Sequence, residues 1–247
     1  MAQESSTIMS ALTPNDNIAR EAAIERLTAV QARITAAEQL YRRTPASVTL
    51  LAVSKGQEAI AVRAAYSAGQ RHFGESYLQE ALPKQTALAN LAIIWHFIGA
   101  IQSNKTRDIA RHFAWAHSLD RFKIAERLHQ QRPPELPPLN ICIQVNIGEE
   151  RQKAGVAPAQ LPSLVEQLRP LSRLRVRGLM ALPPASEDFA EQRGYFHALS
   201  LAFDRLRAQG HGLDTLSMGM SGDLEAAVAE GSTLVRVGTA LFGARRR

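Results

Sequence analysis

The feature that most constrains the fold is a regular alternation of short apolar runs with helical segments between residues 48 and 243. Eight runs have the composition of buried strands, and they lie at 48–53, 71–74, 93–98, 114–119, 139–147, 175–182, 215–218 and 233–237. Segments of helical composition separate most of them, at 58–68, 105–112, 121–130, 158–168, 188–209 and 224–229. The alternation predicts an α/β fold with helices packed on a parallel sheet.

The number of strand–helix units favours one of the two common parallel folds. Eight units in 247 residues fit a (β/α)8 TIM barrel, whereas a doubly wound open sheet is the alternative with the same alternation. The G-x-G-x-x-G fingerprint and the P-loop sequence are both absent from the chain. We therefore predict one barrel domain over 15–244, preceded by a flexible N-terminus at 1–14 and followed by a basic tail at 245–247.

An additional long helix is predicted ahead of the first strand. Apolar residues recur at near-helical spacing over 15–43, and the helix is expected to end before Pro45. Asn15 or Asp16, directly after Pro14, could cap its start.

Charge and composition exclude several classes of protein. The net charge is +6, but three of the positive charges lie in the terminal Arg245–Arg247, and no basic run is interleaved with aromatic residues. Specific nucleic-acid binding is therefore not expected. No apolar run could cross a bilayer, and no signal peptide is recognisable. The lone Cys142 lies in an apolar run and is expected to be an inert buried thiol. These features favour a soluble cytoplasmic protein.

A lysine stands at the end of the first predicted strand, in the stretch LLAVSKGQ at 50–57. In a parallel barrel, functional residues gather at the C-terminal ends of the strands. Lys55 could be a nucleophilic amine there. On the spacing alone, a side chain that extends its ammonium to solvent is the favoured interpretation.

The loops after the last two predicted strands have the residues of an anion site. Ser221-Gly222 precede a helical segment, while Arg236, Gly238 and Thr239 supply a cation, a close backbone approach and a hydroxyl. An ordinary N-cap followed by a tight turn explains the same residues equally well. Asp223 and Glu225 would repel a phosphate if they faced it.

A phosphate site and a strand-end lysine together suit an aldehyde cofactor that carries a phosphate, as pyridoxal phosphate does. Lys55 is expected to lie across the barrel mouth from the phosphate loops. From the residues alone, a solvated lysine at the strand end remains the favoured interpretation.

Ordered blocks over nearly the whole chain resemble the pyridoxal phosphate homeostasis protein family. The matching stretches are LLAVSKGQ (50–57), RHFGESYLQE (71–80), WHFIGAIQSNK (95–105), HSLDR (117–121), QVNIGEERQKAG (144–155), RGLMALP (177–183) and LSMGMSGDLEAAVAEGSTLVRVGTALFGAR (216–245). The resemblance implies a barrel like the N-terminal domain of alanine racemase, with pyridoxal 5'-phosphate as its cofactor.

The resemblance also implies roles for individual residues. Lys55 would form a Schiff base with the cofactor, and Arg236 would approach the pyridine nitrogen and weaken the ring as an electron sink. The phosphate would be held by Ser221, Gly238 and Thr239, with backbone amides near Gly222. Met218 and Ser76 complete the predicted cofactor-binding set. Ser76 departs from the family asparagine, so its shorter hydroxyl is expected to reach the cofactor only through water.

The resemblance favours a cofactor carrier over an enzyme. A carrier would hold pyridoxal phosphate reversibly, act in its intracellular homeostasis and pass it to apo-enzymes, and we expect a monomer without robust catalysis. The alternative is an amino-acid racemase, which needs a second acid–base group opposite the lysine. Among the four tyrosines, only Tyr77 lies near a strand end, and it is expected to begin a helix.

A metal-dependent aldolase is a third possibility. It would need a convergent set of His, Asp or Glu ligands. His72, His96, His112 and His117 look scattered along the chain and lack ligand-like spacing. Structural histidines are the favoured interpretation.

Overall fold

Eight parallel strands close into a barrel in the computed structural model, which describes residues 14–148 and 154–243. Strands that are consecutive in the sequence are neighbours in the barrel, and β8 pairs with β1 to close it. The strands are β1 (Thr49–Val53), β2 (His72–Glu75), β3 (Ile94–Phe97), β4 (Trp115–Leu119), β5 (Leu139–Gln144), β6 (Leu174–Met180), β7 (Thr215–Ser217) and β8 (Leu234–Val237). Each overlaps one predicted run, so the TIM barrel is confirmed and the open sheet is wrong.

Helices follow the strands and cover the outside of the barrel. They are α1 (Pro14–Leu40), α2 (Ala59–Ser67), α3 (Leu78–Ala87), α4 (Thr106–His112), α5 (Phe122–Gln131), α6 (Leu161–Leu168), α7 (Phe189–Ala208), α8 (Leu224–Ala229) and α9 (Thr239–Phe242), with a 3-10 turn at Pro158–Gln160. Two of these helices, α3 and α9, are absent from the segments of helical composition, although the start of α3 agrees with the helix expected to begin at Tyr77. Pro83 lies inside α3 and weakens its helical pattern.

The N-terminal helix α1 packs against α2, α8 and α9. It ends at Leu40, three residues before the predicted end at 43, because the chain turns sharply there. Arg42 and Ala46 both have positive φ, at 52° and 58°. The buried Glu38 fixes this turn, since its carboxylate accepts hydrogen bonds from the amides of Ala46 at 3.1 Å and Val48 at 2.9 Å.

Three predictions about the chain as a whole have different outcomes. The flexible segment 1–14, apart from Pro14, and the basic tail 245–247 lie outside the described residues. Within 14–148 and 154–243, the structure contains no helix that is both long and apolar enough to span a membrane. Cys142 is fully buried in β5, and burial raises the pKa of its thiol to about 12, which agrees with an inert thiol.

Two glycines offer a matched test of the barrel packing. A Cβ on Gly178 of β6 would lie 1.7 Å from the carbonyl oxygen of Thr215 in the adjacent β7, whereas a Cβ on Gly194 of α7 would meet nothing within 4 Å. We expect Gly178→Ala to lower the free energy of unfolding by about 1–3 kcal/mol, because the strands must separate. Gly194→Ala should raise it by about 0.5–1 kcal/mol, because alanine is the better helix former.

Urea unfolding of the two variants and the wild type measures both changes. A Gly178→Ala protein as stable as Gly194→Ala would contradict the close approach of β6 and β7.

Candidate functional site

A cavity of about 320 Å³ opens at the C-terminal end of the barrel. Apolar and polar side chains line it together: Val53, Lys55, Gln57, Ser76, Ile98, Met180, Leu182, Met220, Ser221, Gly222, Arg236, Gly238, Thr239 and Gly243. Seven of the eight predicted site residues are therefore brought to one place, all of them except Met218. The apolar part of the wall, chiefly Ile98, Met180 and Leu182, was not predicted from the sequence.

Met218 is the predicted residue that does not line the cavity. It is fully buried in the hydrophobic core, and its carbonyl oxygen accepts a hydrogen bond from Ser232 Oγ at 2.7 Å. Successive side chains along an extended chain point to opposite sides. Because Ser217 points into the barrel, this alternation places the next side chain on the other side, away from the cavity.

Lys55 and the loop after β8 lie side by side. The register pairs Leu51 with Arg236 and Ala52 with Val237, so β1 and β8 end next to each other. The expectation that Lys55 faces these residues across the mouth was therefore wrong. A Cβ at Gly238 would lie only 3.3 Å from the carbonyl oxygen of Val53, so glycine suits this tight approach.

Asp223 and Glu225, the two acids that follow Ser221-Gly222 after β7, have partners within the protein. Arg33 on α1 donates to both carboxylate oxygens of Glu225, at 2.8 and 2.9 Å, and also to the carbonyl oxygen of Ser221 at 3.0 Å. The hydrogen bond from Arg33 is the main reason that the pKa of Glu225 is lowered. The carboxylate of Asp223 accepts a hydrogen bond from the backbone amide of Met220. These contacts remove much of the objection that the acids would repel an anion.

Arg236 places a buried cation at the cavity wall. Its Nη1 donates to the carbonyl oxygen of Ser217 at 2.6 Å and to Ser217 Oγ at 2.8 Å, and its Nη2 donates to the carbonyl oxygen of Ala181 at 2.8 Å. Burial lowers the pKa of Arg236 to about 10. The guanidinium therefore remains positively charged at neutral pH and is held in a fixed orientation.

A buried ion pair supports the loop that carries Lys55. Glu75 Oε1 accepts hydrogen bonds from Lys84 Nζ at 2.7 Å and Ser54 Oγ at 2.6 Å, and Lys84 also donates to the carbonyl oxygen of Ser54 at 2.8 Å. The amide of Gly56 donates to Glu80 at 2.7 Å. The residues on both sides of Lys55 are thus anchored.

This ion pair was not predicted from the sequence. The signal that could have found it is an acid, Glu75, directly at the end of a buried strand, where an unpaired carboxylate would be costly. Burial raises the pKa of Glu75, and the hydrogen bonds from Lys84 and Ser54 act in the opposite direction.

Three of the four histidines that looked scattered are connected in the fold. The rings of His72, His96 and His117 form hydrogen bonds at 3.0 and 2.9 Å inside the barrel, whereas His112 lies apart on α4. Among the described residues, no group of His, Cys, Asp and Glu is suited to hold a metal ion.

Comparisons with known proteins agree with this architecture. Residues 26–246 match the family described as alanine racemase, N-terminal domain. The pyridoxal phosphate homeostasis protein of Pseudomonas aeruginosa is 58% identical over 221 residues, covering 90% of this chain and 95% of that protein. The protein of the same name from Escherichia coli K12 is 48% identical over 222 residues, covering 89% and 95%.

A solved structure extends the likeness to three dimensions. PipY of Synechococcus elongatus PCC7942, determined with PLP bound, is 41% identical with a TM-score of 0.78, over 90% of this chain and 100% of that one. The fold and its strand-end cavity define a barrel of the alanine racemase N-terminal class. The extent and identity of the matches then show that the chain belongs to the pyridoxal phosphate homeostasis protein family.

Removing the ammonium of Lys84 tests the buried ion pair. We expect Lys84→Met to lower the free energy of unfolding by about 3–5 kcal/mol at pH 8, because it leaves the carboxylate of Glu75 buried without its cation. The loss should be smaller near pH 5. Burial already raises the pKa of Glu75 in the folded protein, so folding favours the protonated acid, and stability falls as pH rises through that pKa.

Urea unfolding at both pH values measures the effect, and Lys123→Met is the control because Lys123 is exposed on α5. The double variant Glu75→Gln/Lys84→Met should lose the pH dependence. Equal losses at the two pH values in Lys84→Met would show that Glu75 is not the group left unpaired.

Proposed function

We propose that this protein binds pyridoxal 5'-phosphate as a reversible Schiff base on Lys55 and takes part in pyridoxal phosphate homeostasis without robust catalysis. The observation that carries the proposal is a single cavity. It is lined by a strand-end lysine, by the serine, threonine and glycines of the loops after β7 and β8, which suit a phosphate, and by a buried arginine. The homeostasis names of the relatives and the PLP bound to PipY support it.

The residues of the cavity fit the phosphate of this cofactor. Ser221 and Thr239 supply hydroxyl donors, and Gly222 and Gly238 allow the backbone to approach closely. The first amides of a helix have no acceptor within it, so those at the start of α9, at Thr239, can donate to an anion. The volume of about 320 Å³ lies within the range of small-molecule sites.

The chemistry proposed for Lys55 is reversible and needs no further reagent. A neutral amine adds to the aldehyde and a C=N bond forms, while the carbonyl oxygen leaves as water. A second amine can displace the lysine by the same exchange in reverse, which suits a carrier. The buried hydrogen bond of Ser54 and the exposed one of Gly56 hold the loop of Lys55 while the partner changes.

The surroundings of the cavity favour holding the cofactor over catalysis with it. Arg236 is a cation, which opposes protonation of a ring nitrogen placed against it and so weakens the ring as an electron sink. A two-base racemase also needs a second acid–base group, and no tyrosine is among the residues described as lining the cavity. Tyr77 is exposed at the start of α3.

Three further expectations remain predictions from the sequence. They are delivery of the cofactor to apo-enzymes, a monomeric state and a cytoplasmic location.

Reduction with borohydride tests the site of attachment. We expect the purified protein to become yellow with added pyridoxal phosphate, and peptide mass mapping after reduction to find the cofactor on Lys55. Lys55→Ala should abolish both signals, since the amine is lost. Lys105→Ala is the matched control, because Lys105 precedes α4 and does not line the cavity. A wild type that takes up no cofactor, or a label on Lys84, would refute the proposal.

Loss of optical activity tests the absence of robust catalysis. The loaded protein is incubated with single enantiomers of a panel of amino acids, and we expect no sustained racemisation. Turnover that continues over many equivalents and disappears in Lys55→Ala would make the protein a racemase.

A further inference from the structure

A continuous line of polar groups crosses the barrel interior, where branched apolar side chains normally pack. Arg236 Nη1 lies 2.8 Å from Ser217 Oγ, which lies 2.9 Å from His117 Nδ1. His117 Nε2 lies 2.9 Å from His96 Nδ1, and His96 Nε2 lies 3.0 Å from His72 Nδ1. Ser217, His96 and His117 are fully buried, so these groups depend on one another for hydrogen bonds.

The two ends of this line lie at opposite mouths of the barrel. Arg236 lines the cavity at the C-terminal end of the strands. His72 is the first residue of β2, at the N-terminal end, and is partly exposed. Trp115 stacks on the ring of His96 with 5.3 Å between centroids, which holds the middle of the line from the side.

Arg236 determines the direction of every hydrogen bond in the line. A guanidinium has donors but no acceptor, so Ser217 Oγ must accept from it. The single hydroxyl hydrogen of Ser217 is then directed to His117 Nδ1. In the opposite direction, His117 Nδ1–H and Arg236 would both donate to Ser217 Oγ. The hydroxyl hydrogen of Ser217 would then lose His117 Nδ1 as its acceptor.

The same logic continues through the histidines. A neutral imidazole has one donor and one acceptor nitrogen. If His117 Nδ1 accepts, its Nε2 carries the hydrogen and donates to His96 Nδ1, and His96 Nε2 in turn donates to His72 Nδ1. Burial lowers the pKa of all three rings, that of His117 to about 3, which agrees with neutral rings.

We propose that Ser217, His117, His96 and His72 are positioning residues for Arg236, joined in a one-directional hydrogen-bond chain that fixes the guanidinium against the cavity and keeps all three histidines as Nε2–H tautomers. The effect on the cofactor rests on the proposed function, since the guanidinium is expected to face the bound ring. Hydrogen bonds in such a chain polarise one another, so loss of one link changes how Arg236 meets the ligand.

The tautomers can be measured without any cofactor. In the apo-protein labelled with 15N-histidine, long-range 1H–15N spectra should show His72, His96 and His117 as Nε2–H tautomers. Single His→Gln variants assign the signals among the seven histidines. An Nδ1–H tautomer at any of the three positions in the wild type would overturn the proposal, and this result needs no variant other than those used for assignment.

A matched pair of serines tests the positioning role. Ser217→Ala removes the hydroxyl between Arg236 and His117, and His117 should become a mixture of tautomers. Ser232→Ala is the control, because Ser232 is also fully buried but donates to the carbonyl oxygen of Met218. With pyridoxal phosphate, we expect Ser217→Ala to shift the absorbance spectrum and to weaken binding about tenfold, as for loss of one hydrogen bond. Ser217→Thr, which keeps the hydroxyl, should restore both.

The two arms separate failure of this proposal from failure of the proposed function. A protein that binds no pyridoxal phosphate refutes the proposed function, while the apo-protein spectra still decide whether the chain is one-directional. Normal binding and an unchanged absorbance spectrum in Ser217→Ala would overturn the positioning role.

Discussion

The pairing of β8 with β1 is the contact on which the rest of the site depends. It closes the barrel, and it joins segments that are nearly two hundred residues apart in the sequence. Because the strands end side by side, Lys55 lies next to Gly238 and Thr239 instead of across the mouth from them. Backbone hydrogen bonds between β1 and β8 thus bring the backbone of Lys55 close to the loop after β8. This proximity does not depend on the conformation of the lysine side chain.

Pairing and hydrogen bonds allow this barrel to contain charge in its interior. A buried charge destabilises a fold unless it is paired and hydrogen-bonded. Arg236 meets this condition through carbonyl and hydroxyl oxygens, whereas in Glu75 it is Oε1 that accepts hydrogen bonds from Lys84 and Ser54. The two networks differ in consequence. The first leaves a net positive charge at the cavity wall, which suits an anionic ligand, and the second leaves a neutral pair beneath the loop of Lys55.

The sequence predicts those features that follow from local periodicity, and it fails where distant residues meet. Strand runs, their order and the residues at their C-terminal ends are local, so the barrel and seven lining residues could be predicted. The contact of Arg33 with Glu225 joins residues 192 positions apart, and no pattern indicates it. Met218 was wrongly predicted to line the cavity. It follows directly after β7, which ends at Ser217. Which of the two side chains faces the barrel interior became clear only from the contact of Ser217 Oγ with Arg236.

Side chains alternate between the two faces of a strand, and this alternation explains both the cavity lining and the buried chain of histidines. Side chains two residues apart on a strand share a face, so His72 and Ser76 lie on the same side of β2 and its continuation, and His96 and Ile98 do so on β3. Ser76 and Ile98 line the cavity, which means that the histidines below them face the barrel interior. A polar residue placed two or four positions before a cavity residue on the same strand must therefore find its partner inside the barrel. Neighbouring strands supply that partner here, and Ser217 of β7 connects the histidines to Arg236.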